Sequence, residues 1–454
     1  MKKKDQKKYY FTGIGGSGMS ALAQVLKYQG HWVGGSDRSF DRKTNKRLFS
    51  KLKKQGISLF PQNGDSISKE LDFMVVSTAI EAASPELKKA KALDIHVLHR
   101  AELLSSLFNK LFGVGIAGTS GKSTVCGMAA SVMDCAGMEP AVINGGIINQ
   151  YVSGVSIGNA KGGNSQFMIS EVDESDGSIV RFSPSIGVIT NISRDHKEVK
   201  ELNKLFKIFA SNTKKCLIIN GDCKETSKIK ADNVVTFGLA RKNHIYAENI
   251  KFSAWKTKFD CMGTNFSLKV PGEHNVCNAL AAIAVCSSLD IPAEKIKKGL
   301  ASFKGIKRRL EIVGRKNNII VVDDFAHNPD KLSASLTALK SNCKRLIIIF
   351  QPHGYGPTRF LINDLAKVFS LKMDKKDCLM CLPIYDAGGT ADRSISSKDL
   401  ISKIAGPECA CPESRKDALI RIKKMAGPGD IYAVMGARDD TLSVFAKRIL
   451  REIG

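Results

Sequence analysis

Residues Gly118-Thr119-Ser120-Gly121-Lys122-Ser123-Thr124 constrain this chain more than any other stretch. A short apolar run, Leu111 to Ala117, precedes them and reads as a buried strand; Val125 to Met133 follows and reads as a helix. Strand, Gly-rich turn, Lys-Ser and helix in that order make a phosphate cradle. Backbone N–H groups of the turn and the positive end of the helix both face an anion. Lys122 then reaches the outer phosphates, and Ser123 or Thr124 holds Mg²⁺. The strict pattern wants glycine at the position of Ile116, so the loop is a variant built on Gly-Thr-x-Gly-Lys-Ser. A nucleoside triphosphate is the expected substrate.

With 454 residues the chain is too long for one hydrophobic core, and two or three domains are expected. No apolar run approaches the ~20 residues of a membrane span, and the basic start, Met1-Lys2-Lys3-Lys4, leads into a Gly-rich turn rather than a secretory leader. The twelve cysteines are scattered, many in apolar segments, as suits a reducing compartment. Cys378/Cys381 and Cys409/Cys411 have metal-like spacing, but the first pair lies in a strand-like run, and zinc is not expected. The net charge of +25 is spread along helix-like segments without a basic-aromatic motif. Neither nucleic acid nor a membrane is expected as partner; phosphorylated substrates are.

Three segments follow from the pattern of strands and helices: 1–109, 110–314 and 315–454. The first opens with a βαβ unit: strand Tyr9 to Gly13, the turn Gly13-Ile14-Gly15-Gly16-Ser17-Gly18, helix Met19 to Gln29, and strand Trp32 to Gly35, followed by Asp37. The second has strand-like runs at Phe167 to Glu171, Ile186 to Asn191 and Cys216 to Asn220, and an Ala-rich helix from Asn275. The third has them at Ile319 to Asp323, Arg345 to Phe350, Asp377 to Leu382 and Asp430 to Met435. The fold class is α/β, with largely parallel sheets covered on both faces.

Polar groups gather at the ends of these runs, where parallel sheets bind ligands. Glu171-Val172-Asp173-Glu174-Ser175-Asp176 offers carboxylates for Mg²⁺ beside the phosphate loop. Asp195-His196 is a candidate metal or phosphate-side pair. Asn275 and Asn278 can read an adenine edge, and Lys307-Arg308-Arg309 can neutralise a transferring phosphoryl group. Asp323 and Asp324 can bond ribose hydroxyls, with His327 facing substrate; His353 and Arg359 end the next strand. Taken alone, the Gly13–Gly18 turn with Asp37 also fits a dinucleotide oxidoreductase or a nucleotide-binding regulator. A second, lysine-bearing phosphate loop argues for a triphosphate-driven enzyme whose first turn holds a nucleotide-linked substrate.

In order and spacing these motifs resemble the Mur ligase family, and within it the alanine-adding members. The matching stretches are Gly13 to Ser20, Ser77 to Ile80, Arg100-Ala-Glu-Leu-Leu, Gly118 to Ser123, Glu171 to Asp176, and Thr190-Asn-Ile-x-x-Asp-His196. They continue with Gly272-Glu-His-Asn-x-x-Asn278, Arg308-Arg-Leu-Glu311, Asp323-Asp-Phe-Ala-His327 and Phe350-Gln-Pro-His353. The resemblance implies three domains: a Rossmann-like UDP-substrate domain, a central P-loop-type ATPase and a Rossmann-like C-terminal ligase domain. It implies a cytoplasmic, ATP- and Mg²⁺-dependent amide ligase of peptidoglycan precursor synthesis that joins L-alanine to UDP-N-acetylmuramate through an acyl phosphate. The third domain is then expected to close over the central one and exclude water.

By the same resemblance Lys122 stabilises the γ-phosphate within the ATP loop of Gly118, Thr119, Ser120, Gly121, Ser123 and Thr124. Ser123, Glu171 and His196 surround Mg²⁺. Asn275 and Asn278 face adenine, Asp324 the ribose, and Arg309 the phosphates. His327 and His353 lie toward the amino acid. Gly15, Gly16, Ser17, Gly18, Asp37 and Ser77 belong to the UDP substrate, and the protein is a monomer or weak homo-oligomer.

Two departures bear on the substrate. The alanine-adding members have Thr-His-Gly-Lys-Thr where this chain has Thr119-Ser120-Gly121-Lys122-Ser123. Their Phe-Gln-Pro-His is followed by Arg-Tyr-Ser-Arg-Thr-Arg, where this chain has Gly354-Tyr355-Gly356-Pro357-Thr358-Arg359. Two arginines that the family places near the muramyl substrate and the incoming amino acid are therefore absent, and neither Gly nor Pro reproduces a bidentate carboxylate contact. A related ligase adding a murein peptide or another amino acid is the alternative.

Overall fold

The computed structural model describes residues 6–193, 198–253, 255–386, 388 and 391–453. They form two compact units. The first is Met1–Ile250, Lys258–Ser267 and Cys277–Lys304; the second is Lys251–Thr257, Leu268–Val276 and Gly305–Gly454.

Alternating Val, Ile and Phe runs build the first unit's two sheets. One has five parallel strands, β1 (Lys8–Thr12), β2 (Trp32–Ser36), β3 (Ser58–Phe60), β4 (Phe73–Val76) and β5 (His96–His99), in the order β3-β2-β1-β4-β5. Its central strand is buried on both faces. Phe11 packs with Leu22 and Val25 of the helix Ser17–Tyr28, and Tyr10 packs with Met74 and Ala90 on the other side. That two-sided burial is what a parallel sheet requires.

The second sheet has eight strands. They are β6 (Phe112–Ala117), β7 (Ala141–Ile143), β8 (Ala160–Lys161), β9 (Phe167–Glu171), β10 (Ile186–Ile189), β11 (Cys216–Asn220), β12 (Val234–Gly238) and β13 (Ile245–Tyr246). Their order is β13-β12-β11-β10-β6-β9-β7-β8, and only the short β8 runs antiparallel to its neighbour. β6 lies inside, between β10 and β9. The phosphate loop therefore leaves from the middle of the sheet, flanked by the ends of both neighbours. The helix Lys122–Cys135 that follows is buried from Ser123 to Met133, so its N-terminus is held by packing along its length.

A three-stranded sheet, β14 (Glu248–Ser253), β15 (Lys256–Cys261) and β16 (Thr264–Leu268), was not among the expected strands. The second unit's sheet has six. They are β17 (Glu311–Lys316), β18 (Ile319–Asp324), β19 (Arg345–Phe350), β20 (Cys378–Cys381), β21 (Glu408–Ala410) and β22 (Asp430–Met435), in the order β17-β18-β22-β19-β20-β21. β17 is antiparallel to β18 and the rest are parallel. Residue 314, the expected end of the second segment, falls within β17. Leu346, Ile348 and Phe350 face one core layer and Ile347 and Ile349 the other, so this sheet too is covered on both faces. Among the described residues no helix is long and apolar enough to cross a membrane.

Candidate active site

The turn after β6 is shaped by two glycines. Gly118 has φ +123° and Gly121 φ +90°, a region that L side chains rarely adopt. A Cβ on Gly118 would stand 2.1 Å from Thr190 Oγ1, and one on Gly121 2.5 Å from Asn278 Oδ1. Gly121 gives the helix no side-chain cap, and its first turn carries no acidic residue. The helix start is thus left for an anionic ligand.

The turn is clamped by the segment leaving β10. Asn191 Nδ2 donates to Ser120 O at 2.9 Å, and Asn191 Oδ1 accepts from Ser120 N at 3.0 Å. Thr190 Oγ1 donates to Ser120 O at 2.6 Å, and Ser193 N donates to Thr119 Oγ1 at 3.1 Å. Thr190 and Asn191 carried no assigned role in the sequence, although both stood in the motif ending at His196. His196 itself lies outside the described residues.

Lys122 is the first residue of the helix. Its Nζ donates to Gly118 O at 2.7 Å and to Glu174 Oε2 at 2.8 Å. Burial works against the lysine charge, but Glu174, Glu171 and Asp173 outweigh it and raise its pKa above the ordinary value. Lys122 is therefore a full cation at neutral pH. Next to it, Ser123 Oγ donates to Glu171 Oε2 at 2.8 Å, and the same oxygen accepts from Gly145 N at 2.8 Å.

Hydroxyl and carboxylate oxygens side by side at a phosphate loop are a donor set for a hard divalent cation, and Mg²⁺ fits it. Among the described residues no three His, Cys, Asp or Glu side chains are arranged as a metal cage. A Mg²⁺ held by one or two protein oxygens together with phosphates and water needs none. Thr119 in the loop and Thr124 in the first turn of the helix are buried, and the Ser120 hydroxyl is buried without a hydrogen-bond partner.

The first Gly-rich turn has the same construction. Gly13 N and Ile14 N both donate to Ser36 O at 2.9 Å, and the helix Ser17–Tyr28 starts from Gly16 with no side-chain cap and no acid in its first turn. Gly16 and Ser17 are exposed, as a ligand-facing turn requires. Asp37 braces this turn. Its Oδ2 accepts from Gly15 N at 2.8 Å and its Oδ1 from Ser39 N at 2.8 Å. A Cβ on Gly18 would meet Arg100 Nη1 at 3.0 Å, and Arg100 Nη2 bonds Asp176 Oδ2 at 3.3 Å. Arg100 thus bonds the acidic motif while its guanidinium lies against Gly18, a placement its sequence position did not signal. Ser77 follows β4 and is half-buried.

In the second unit, Asp324 ends β18. It is buried, and accepts hydrogen bonds from the Ser335 hydroxyl and from Ala326 N at 3.3 Å. Burial raises its pKa despite Ser335 and Arg309. The two adjacent arginines part company. Arg308 is buried, bonds Gly436 O at 2.7 Å and Ala437 O at 3.2 Å, and pairs with Asp323 at 3.5 Å. Arg309 is only half-buried; both guanidinium groups lie over the Phe325 ring, Arg308 at 5.1 Å and Arg309 at 5.0 Å. Arg308 (φ +58°) and Leu310 (φ +46°) are both left-handed, so the turn that presents Arg309 is held by its buried neighbour.

Asn275 Nδ2 donates to Pro271 O at 2.7 Å, and the preceding His274 is driven down to about 4 by burial, with Arg309 adding to it. His327 and His353 are both buried, with ring centroids 4.6 Å apart. His327 Nδ1 lies 2.8 Å from Phe325 O. A carbonyl only accepts, so Nδ1 carries the proton and Nε2 is the acceptor nitrogen of the neutral ring. Arg359 is tied to Asp392 at 2.9 Å and Ser394 at 3.0 Å.

Three family models cover these elements in order. The Mur ligase family catalytic domain matches residues 8–111, the Mur ligase middle domain 116–286, and the Mur ligase glutamate ligase domain 308–438. The UDP-N-acetylmuramate–L-alanine ligase of Fusobacterium nucleatum is 34% identical over 99% of this chain and 98% of its own. That of Acetivibrio thermocellus is 36% identical over 95% of this chain and 94% of its own. Among solved structures, the UDP-N-acetylmuramate-alanine ligase of Thermotoga maritima superposes with a TM-score of 0.78 at 28% identity, covering 98% of each chain. With matching domains, relatives above 30% identity along almost the whole chain, and a lysine-bearing phosphate loop beside its carboxylates, this chain belongs to the Mur ligase family.

Proposed function

We propose that the protein joins L-alanine to UDP-N-acetylmuramate at the expense of ATP, as the names of its full-length relatives indicate. The observation that carries the ATP reading is the set Lys122, Ser123 and Glu171 at an uncapped helix start. The muramyl carboxylate attacks the γ-phosphorus and ADP leaves, giving an acyl phosphate. The alanine amine then attacks the acyl carbon; the tetrahedral intermediate expels phosphate, and the amine loses its proton. Lys122 meets the negative charge of the transferring phosphoryl group, at a cost in reorganisation kept small by its hydrogen bond to Gly118 O. Ser123 and Glu171 would hold Mg²⁺, which when bound neutralises the polyphosphate charge. Arg309 contributes a further cation, and Asn278 and Asn275 read adenine.

Residues 1–109 take the UDP substrate on the Gly15–Gly18 turn with Ser77, residues 110–314 take ATP, and residues 315–454 take the amino acid near His327 and His353. The assignment fits a cytoplasmic enzyme. A panel of amines, L-alanine, other amino acids and a murein tripeptide, offered with UDP-N-acetylmuramate and ATP and read by mass spectrometry of the product, tests the reading. L-alanine as the preferred amine supports it. A preference for the tripeptide transfers the chain to peptide ligation.

A further inference from the structure

We propose that Arg438 is the residue that recognises the α-carboxylate of the incoming amino acid, in place of the arginines missing at positions 354 and 357. The inference deepens the function proposed above and rests on it.

Topology brings Arg438 to the right place. β22 lies between β18 and β19 and runs parallel to both. The loops leaving the C-terminal ends of these three adjacent strands carry His327 (after β18), Arg438 (after β22) and His353-Gly354 (after β19). Ligands of parallel sheets bind outside such strand ends. The two histidine rings meet at 4.6 Å, so the outer two loops converge across the middle one.

Local geometry supplies the rest. Gly354 has φ +142°, a conformation reserved for glycine, so this backbone excludes any side chain at 354. A Cβ there would stand 3.4 Å from Arg438 Nη1 and 3.6 Å from Pro357 Cδ. The guanidinium of Arg438 therefore borders the space into which a side chain at 354 would grow, and Pro357 borders the same space.

Charge balance leaves this cation for a ligand. Among the described residues Arg438 makes no side-chain hydrogen bond or ion pair, and it is exposed. Its acidic neighbours are engaged elsewhere, Asp439 with Arg415 and Asp440 with Arg308 at 3.3 Å. A planar guanidinium with its fork open matches a carboxylate in bidentate fashion, and an ammonium in its place does not.

The test is steady-state kinetics of the full-length protein with UDP-N-acetylmuramate and ATP, varying L-alanine or L-alaninamide, for wild type, Arg438→Ala and Arg438→Lys. Arg438→Ala is expected to raise KM for L-alanine about ten-fold or more while kcat changes less than about two-fold. Arg438→Lys should fall between, and KM for UDP-N-acetylmuramate should not move. L-alaninamide lacks the carboxylate, so its turnover should be the same in all three proteins. An unchanged KM for L-alanine in Arg438→Ala, or equal losses with L-alaninamide, overturns the proposal. Melting temperatures separate misfolding from a binding loss, and this exposed side chain should leave them within about 2 °C of wild type. A wild-type protein that ligates no amine to UDP-N-acetylmuramate overturns the proposed function itself; an active wild type with an insensitive Arg438→Ala overturns only this inference.

Discussion

Lys122 Nζ and Glu174 Oε2 stand 2.8 Å apart, with side chains only 11% and 7% exposed. The pair fixes the charge state of the phosphate loop, because a buried lysine without such partners tends to lose its proton. Lys122→Ala is expected to abolish ATP turnover and to leave UDP-N-acetylmuramate binding intact, since the latter belongs to the first Gly-rich turn. It also strands the Glu174 carboxylate, so stability should fall by about 1–3 kcal/mol. Turnover assays with calorimetric binding of the UDP substrate check both halves; near-normal turnover would remove Lys122 from the site.

Asn191 bonds both the N–H and the C=O of Ser120. Asn191→Ala releases the turn without touching a phosphate ligand. KM for ATP should rise about ten-fold, with a stability loss of about 1–2 kcal/mol from the two bonds. Nucleotide titrations and denaturant melts would show it. An unaltered ATP affinity would mean that the turn keeps its shape unaided.

The two loop glycines predict a graded result. Gly118→Ala drives a methyl against Thr190 Oγ1 and the Thr190 and Asn191 backbone, whereas Gly121→Ala meets chiefly the movable Asn278 amide. Both suffer left-handed strain of about 1 kcal/mol or more. Gly118→Ala should lower the melting temperature further than Gly121→Ala, while both lose ATP binding. The reverse order of melting temperatures would contradict the packing described.

His274 gives a pH signature. Its pKa is depressed to about 4 by burial and then by Arg309, whereas an unfolded histidine titrates near 6.5. Between these values the unfolded chain binds the extra proton, so stability is present in full above about pH 6.5 and is lost as pH falls toward 4, by up to roughly 3 kcal/mol. His274→Gln should flatten the melting-temperature profile in that window. A profile as steep as wild type would assign the acid sensitivity to other groups.

Much of this arrangement is legible along the chain. Strands β9, β11, β19 and β22 have the bounds that their apolar runs announce, and Glu171 lies beside Ser123 as the acidic strand end and the phosphate loop require. What escapes sequence reasoning depends on contacts between distant residues. Ser120 and Asn191 are 71 positions apart, and nothing local marks Asn191 as the clamp. Arg308 and Arg309 are chemically identical neighbours that both lie over the Phe325 ring, and only the left-handed turn decides which of them is buried against Asp323 and the Gly436 carbonyl. Asp37 sits where a ribose ligand is expected, and its oxygens also accept from Gly15 N and Ser39 N, contacts that depend on the loop geometry. The strands β14–β16 were missed because their alternating Lys and Asn content reads as solvated coil.

In the proposed reaction ATP cleavage is coupled to ligation. The most direct measurement is phosphate release by the purified protein with ATP and Mg²⁺, with UDP-N-acetylmuramate and L-alanine added singly and together. Release is expected only when both are present, with one phosphate formed per UDP-N-acetylmuramoyl-L-alanine detected by mass spectrometry. Release indifferent to either substrate, or no release with both, would contradict it.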